Sequence, residues 1–143
     1  MLAKLLVALL LMALCVVIHA LGLTAAVHRL RRVATSPPMS FRRSVGVLIA
    51  IAAWAILLHL LEIAVWALFY ALEHGMPDLP TALYFSAVTY TTTGYGDLVL
   101  PPEWRLVGGV EALTGILMCG LSTGFFFAVL AKTFESASST DRD

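Results

Sequence analysis

Seven consecutive residues, Thr91-Thr92-Thr93-Gly94-Tyr95-Gly96-Asp97, bring together hydroxyls, two glycines, a phenol and a carboxylate. Glycine takes left-handed and other unusual dihedrals at little steric cost, so Gly94 and Gly96 let the backbone turn its carbonyls where ordinary residues could not. Alone, the stretch also reads as a Gly-rich turn in a Thr-rich loop. A second group of reactive residues lies inside apolar runs. Glu62 has His59 three residues before it and Trp66 four after it, on one helix face, and His19 is another available partner. A carboxylate at membrane depth is expensive and faces protein or water with a partner. Glu62 is therefore either a hydrogen-bonded contact between helices or, with His59, a proton-sensing pair. Glu111 sits nearer the outer end of its run, bonded behind the short helical segment that precedes the loop or reaching external water. A metal site from His19, His28, His59 and His74 is not expected, because they fall at different depths without ligand spacing. No nucleophile–base pair or metal constellation suggests an enzyme.

The elements that must hold these groups are membrane elements. Hydrophobic residues make up 60% of the 143-residue chain and charged residues 13%, about half the ~25% usual in soluble domains. That length has room for about three spans of ~20 residues, without a separate soluble domain. Cys15 and Cys119 both lie in apolar runs, where they pack as small hydrophobes and not as a disulfide or thiolate site. The first run, Leu5 to Val27, exceeds the 7–15 residues of a signal-peptide core and has no clear cleavage site. It is read as a retained transmembrane helix. Five arginines then fall in Arg29 to Arg43, interrupted by Ser36-Pro37-Pro38. Adjacent prolines exclude a continuous helix there. Between spans such a basic run marks the cytoplasmic side, and no nucleic-acid partner is expected.

The second run, Val45 to Leu72, ends at Glu73-His74-Gly75-Met76-Pro77-Asp78, where Gly75 and Pro77 are expected to stop the helix. Leu79 to Tyr90 is a helix-length segment too short to cross a ~30 Å core. It is predicted to be re-entrant, with Pro80 in its first turn. Pro101-Pro102-Glu103-Trp104 turns the chain back, and Leu106 to Phe134 is the last run, followed by a polar tail. Gly115 and Gly120 are candidate hinges in it, with close helix packing as the alternative.

From the second run to Phe134 the pattern resembles the pore module of the tetrameric potassium-channel family: outer helix, pore helix, Thr-Thr-Gly-Tyr-Gly-Asp filter and inner helix. The fold class this implies is an all-α membrane protein with three transmembrane helices plus a re-entrant pore helix and filter loop. The expected organisation is an extra helix over 1–28, as in small three-span bacterial homologues, a basic loop over 29–44, the pore module over 45–134 and a cytoplasmic tail over 135–143. The resemblance implies passive, potassium-selective conduction through rings of backbone carbonyls contributed by four copies. The alternative is a non-conducting structural or regulatory membrane subunit. By position, Thr92, Thr93, Gly94 and Tyr95 would bind K+, with no other cofactor, and Gly96 and Asp97 would form the outer mouth. The family often has Val or Ile at Thr93 and a carboxylate at Val88. It often has Trp where Tyr84 stands, so the preferred expectation is a bond from Tyr84 to Asp97, with Asp97 simply facing external water as the alternative. Gate and cavity positions map onto Leu117, Gly120, Gly124, Phe125 and Ala128, and the Phe125–Phe127 cluster either narrows the inner mouth or packs against helices and lipid. The implied partners are a homotetramer and the lipid bilayer. The implied location is a bacterial inner (plasma) membrane, N-terminus outside and C-terminus cytoplasmic.

Overall fold

A computed structural model describes the backbone of residues 2–34 and 41–140, and side chains within 2–31 and 42–131. Its elements are α1 (Leu2–Ala34), α2 (Phe41–Leu72), α3 (Leu79–Tyr90), a single 3-10 turn (Pro102–Trp104) and α4 (Arg105–Thr140). Three helices are long and apolar enough to cross a membrane, over Leu2–Arg31, Arg42–Leu72 and Pro102–Ala131. α1 and α4 outrun the apolar limits expected of them. α1 carries the basic run from His28 as helix, and α4 continues past Glu135 to Thr140. Lys, Arg, Glu and Ala are good helix formers, so a change in polarity need not end a helix. The Ser36-Pro37-Pro38 break lies outside the described residues.

α2 stops by a different residue than expected. His74, not Gly75, takes the left-handed conformation (φ 54), while the Gly75 amide donates back to the Tyr70 carbonyl at 2.9 Å. That is a left-handed helix end, commonly built on glycine; here a histidine does it and Gly75 follows. α3 then starts on Asp78, whose Oδ1 accepts from the Thr81 amide at 2.8 Å, with proline in the first turn. Its 12 residues span only ~18 Å at 1.5 Å per residue.

The helices lock through a few specific contacts. α1 runs antiparallel to α2 and alongside α4. At one end the Lys4 ammonium lies 3.7 Å over the Trp104 ring, which meets Phe69 edge-on at 5.5 Å. Further along, the Trp54 indole donates to the Gly22 carbonyl at 2.9 Å. A Cβ on Gly22 would run into Leu58, so α1 sits on α2 at backbone distance. α3 fills the wedge between α2 and α4, with Phe85 edge-on to Tyr70 at 5.3 Å. Ala82 and Tyr90 of α3 join Trp66, Tyr70 and Met118 of the flanking helices in the buried core.

Candidate functional site

The loop leaving α3 is built by hydrogen bonds to the helix end. The Thr93 and Gly94 amides both donate to the Val88 carbonyl, at 2.9 and 3.2 Å, and the Thr92 amide donates to Thr89 at 2.9 Å. Val88 thus enters through its backbone and not its side chain. Every second residue of the loop is then left-handed: Thr92 at φ 59, Gly94 at 53 and Gly96 at 78. Glycine adopts this region freely, but a β-branched residue does not. Thr92 therefore stores strain of about 1–3 kcal/mol, a feature that clusters at functional sites. Alternating left-handed residues swing successive peptide planes about the chain. A strand so built can direct consecutive carbonyls to one side, which an ordinary extended strand cannot.

Side chains around the loop brace it. Thr91 Oγ1 lies 2.7 Å from the Ala87 carbonyl and 2.9 Å from Thr93 Oγ1. Tyr84 donates to Asp97 Oδ2 at 2.7 Å across the loop's base. Tyr95 is 71% exposed, and a Cβ at Gly94 or Gly96 would meet open space. Their glycine requirement is thus conformational.

α4 turns one face to this assembly. Glu111, Gly115, Met118 and Ser122 are all buried along it. Gly115 lies against the carbonyl of Tyr90, the last residue of α3; a Cβ there would overlap that oxygen. This is the packing alternative, not a demand for a hinge. The opposite face carries Leu113, Leu117, Gly120, Leu121 and Gly124, all exposed on the single chain. Gly120 and Gly124 have open space beside them. Phe125 is half-buried, whereas Phe127 is 69% exposed.

Two buried carboxylates flank the Gly115 contact. Glu111 accepts from Tyr70 at 2.8 Å and lies 2.5 Å from Ser86 Oγ, which also lies 2.9 Å from the Ile63 carbonyl. Ser86 has one hydrogen. If it serves Ile63, the Glu111 carboxyl must be the donor to Ser86. Around Glu62, His19 Nδ1 lies 2.9 Å from Oε1, and Tyr90 donates to Oε2. His59 Nδ1 lies 3.1 Å from Tyr90 Oη, and Ser122 Oγ lies 3.0 and 3.1 Å from Nε2 of His19 and His59. The expectation that these histidines sit at different depths is corrected for His19 and His59. α1 and α2 are antiparallel, which brings position 19 level with 59 and 62. His19, His59 and Glu62 each place one donor atom within 4.8 Å of the others. Sequence reasoning had named Glu62, His59 and His19, but missed Tyr90 and Ser122. Ser122 lies 103 residues from His19, and no local periodicity signals such a contact.

Comparison with known proteins bears on the same region. The family model described as an ion channel matches residues 46–132, from α2 through the loop into α4. The potassium voltage-gated channel protein shk-1 of Caenorhabditis elegans is 43% identical over 58 residues, 36% of this chain and 11% of the relative. The potassium voltage-gated channel protein Shal of Drosophila melanogaster is 32% identical over 68 residues, 46% of this chain and 12% of the relative. The chain thus spans about one-tenth of the length of these curated relatives. No solved structure matches. With more than half its residues under the family model, the chain belongs to the ion-channel family.

Proposed function

We propose that four copies of this chain surround one axis and conduct potassium through the Thr92–Tyr95 carbonyls. The observation that carries this reading is the alternation of left-handed residues at Thr92, Gly94 and Gly96, directly after a helix too short to span. Backbone carbonyls presented in rings can replace the hydration shell of a potassium ion. One strand supplies only one side of each cage, so the site is incomplete without further copies. In this reading α3 is a re-entrant pore helix, and the loop after it lines water. Non-helical backbone at membrane depth is tolerated only there or when buried in protein. The exposed face of α4 then lines the cavity and the contacts between copies, and apolar side chains there can gate by dewetting. The arginines on α1 and α2 next to the connection favour a cytoplasmic side for it, which puts the filter at the outer face.

The test is flux from potassium-loaded liposomes holding the purified protein alone. Potassium should exchange and sodium should not, and native mass measurement should report four chains. Gly96→Ala should abolish selective flux, because a Cβ opposes the φ of 78 that position holds. A protein that assembles and carries no cation would favour the non-conducting subunit. A stable monomer or dimer that conducts would overturn the fourfold axis.

A further inference from the structure

The contacts around Glu62 close on themselves. In order they run Glu62 to His19, His19 to Ser122, Ser122 to His59, His59 to Tyr90 and Tyr90 back to Glu62, five links among five residues. They draw on all four helices: His19 from α1, His59 and Glu62 from α2, Tyr90 from α3 and Ser122 from α4.

A closed ring makes its protons countable. Each link needs one hydrogen. Tyr90 and Ser122 each bring one, each neutral imidazole brings one, and a carboxylate brings none. With both histidines neutral and Glu62 ionised, four hydrogens serve five links and two lone pairs face each other. One further proton, on Glu62 or shared with His19, satisfies every link while Tyr90 donates to Glu62. The net charge is then zero. A sixth proton would set two donors on one link unless Ser122 turned its hydroxyl away, as Thr123 does toward the Cys119 carbonyl at 2.8 Å. Among the described residues, two thiols lie within reach of the Glu62 charge, Cys15 buried on α1 and Cys119 exposed on α4.

A divalent metal on His19, His59 and Glu62 fits this site worse. One carboxylate would leave a net positive charge within the apolar bundle, and an uncompensated buried charge is costly. The neutral ring leaves none.

The ring also reaches the filter. Tyr90 closes it with its hydroxyl, while its carbonyl rests against Gly115 and its chain continues into Thr91. The foot of the loop is thereby held on two sides. His19 lies outside the 46–132 segment that matches the ion-channel family. We propose that Glu62, His19, Ser122, His59 and Tyr90 form one charge-neutral proton ring through which α1 positions the foot of the filter. Glu62 and His19 are then positioning residues. The role for the filter rests on the conduction proposed above; the proton count does not.

Solid-state NMR of the full chain in bilayers, with labelled histidine and glutamate, reads the count directly. At neutral pH either both imidazoles are neutral beside a protonated Glu62, or one imidazolium accompanies its carboxylate. Two neutral imidazoles beside a carboxylate, or two imidazoliums, overturn the ring whether or not the protein conducts. Flux then tests the positioning. Glutamine sets an N–H on one side and a carbonyl oxygen on the other, with one amide hydrogen surplus to the five links, so Glu62→Gln should keep the ring and hold potassium-over-sodium permeability within about twofold of the parent. Glu62→Leu and His19→Phe strand buried partners and should lower it about tenfold. Glu62→Gln as damaging as Glu62→Leu, or zinc binding that Glu62→Gln removes, would overturn the neutral ring. Parent-like selectivity in an assembled His19→Phe protein would overturn the role of α1. Should His19→Phe fail to assemble, Ser122→Ala, which opens the same ring while keeping α1 docked, must show the loss. Parent protein that fails to discriminate potassium would instead indict the conduction reading and leave the NMR result standing.

Discussion

Glu62 and Glu111 are both wholly buried carboxyl groups that bind helices together, each through a tyrosine hydroxyl, yet their other neighbours differ in kind. Glu62 faces two imidazoles, each able to gain or lose a proton and each linked onward to the same serine. Glu111 meets Tyr70 and Ser86, and Ser86 is tied in turn to a main-chain carbonyl. None of those groups takes up protons near neutral pH. The first site can redistribute a proton among its members without changing its charge. The second is a static brace behind α3. Burial alone therefore does not define the chemistry of a membrane carboxylate; the basicity of its contacts does.

Both sites share one face of α4, and between them lies Gly115 against the Tyr90 carbonyl. The largest expected effect follows from prying that face away. Gly115→Ala places a methyl on a main-chain oxygen that cannot move without dragging the loop. Overpacking usually costs about 1–3 kcal/mol, and a backbone obstacle belongs at or above the top of that range. We expect loss of assembly or a large fall in thermal midpoint in detergent, with both carboxyl sites disrupted together. An unchanged midpoint would mean that α4 and α3 do not meet at this glycine.

A smaller change separates the two carboxyls. Glu111→Leu strands the Tyr70 hydroxyl and part of the Ser86 bonding, at about 1–3 kcal/mol for a buried group left unmade. Glu111→Gln keeps an acceptor and a donor and should cost less. Its sharper consequence concerns the imidazoles. Glu111→Gln should leave the nitrogen resonances of His19 and His59 where the parent has them in solid-state NMR, because Glu111 touches neither, whereas Glu62→Gln should move them. Equal shifts from both variants would erase the distinction between the two sites.

How much of this was open to reading before the fold was known depends on distance along the chain. The run from Thr91 to Asp97, the three spans and the short segment before the loop are local patterns, and a helix covers each apolar run and the short segment, with α1 and α4 running on past their apolar limits. His59 and Glu62 share a face because they are three residues apart. The bond between Tyr84 and Asp97 crosses only 13 residues, and family resemblance pointed to it. Thr92 at positive φ was not legible, since only the glycines advertise that conformation; the strain is imposed by the amides bonded to Thr89 and Val88. The left-handed His74 escaped for the same reason. Tyr90 and Ser122 as contacts of the histidines, and the seat of α1 against both α2 and α4, depend on helix rotation and stagger. Apolar-all-round helices carry no stripe from which rotation can be read.

The smallest expected effect belongs to a third carboxylate, Asp78, which shows what an exposed acid does by contrast. Its Oδ1 accepts the Thr81 amide at 2.8 Å at the start of α3, and that amide bond holds the carboxyl below its ordinary value of 3.8. The lowered value lies in the folded state, so the cap is fully present above the unfolded value and is lost as pH falls through the folded one. At neutral pH Asp78→Ala should lower the thermal midpoint slightly, because an orphan amide at the helix start loses its acceptor. Asp78→Asn keeps an acceptor but cannot be silenced by acid. Relative to the parent it should therefore hold its midpoint better as pH drops below about 4, while matching it near pH 7. The difference between those two melting curves isolates Asp78 from the other acids that titrate in the same range. Parallel acid loss in the parent and Asp78→Asn would show that the Thr81 contact contributes nothing. The loop's alternating backbone would then hang on Val88, Tyr90 and Gly115 without help from the far end of α3.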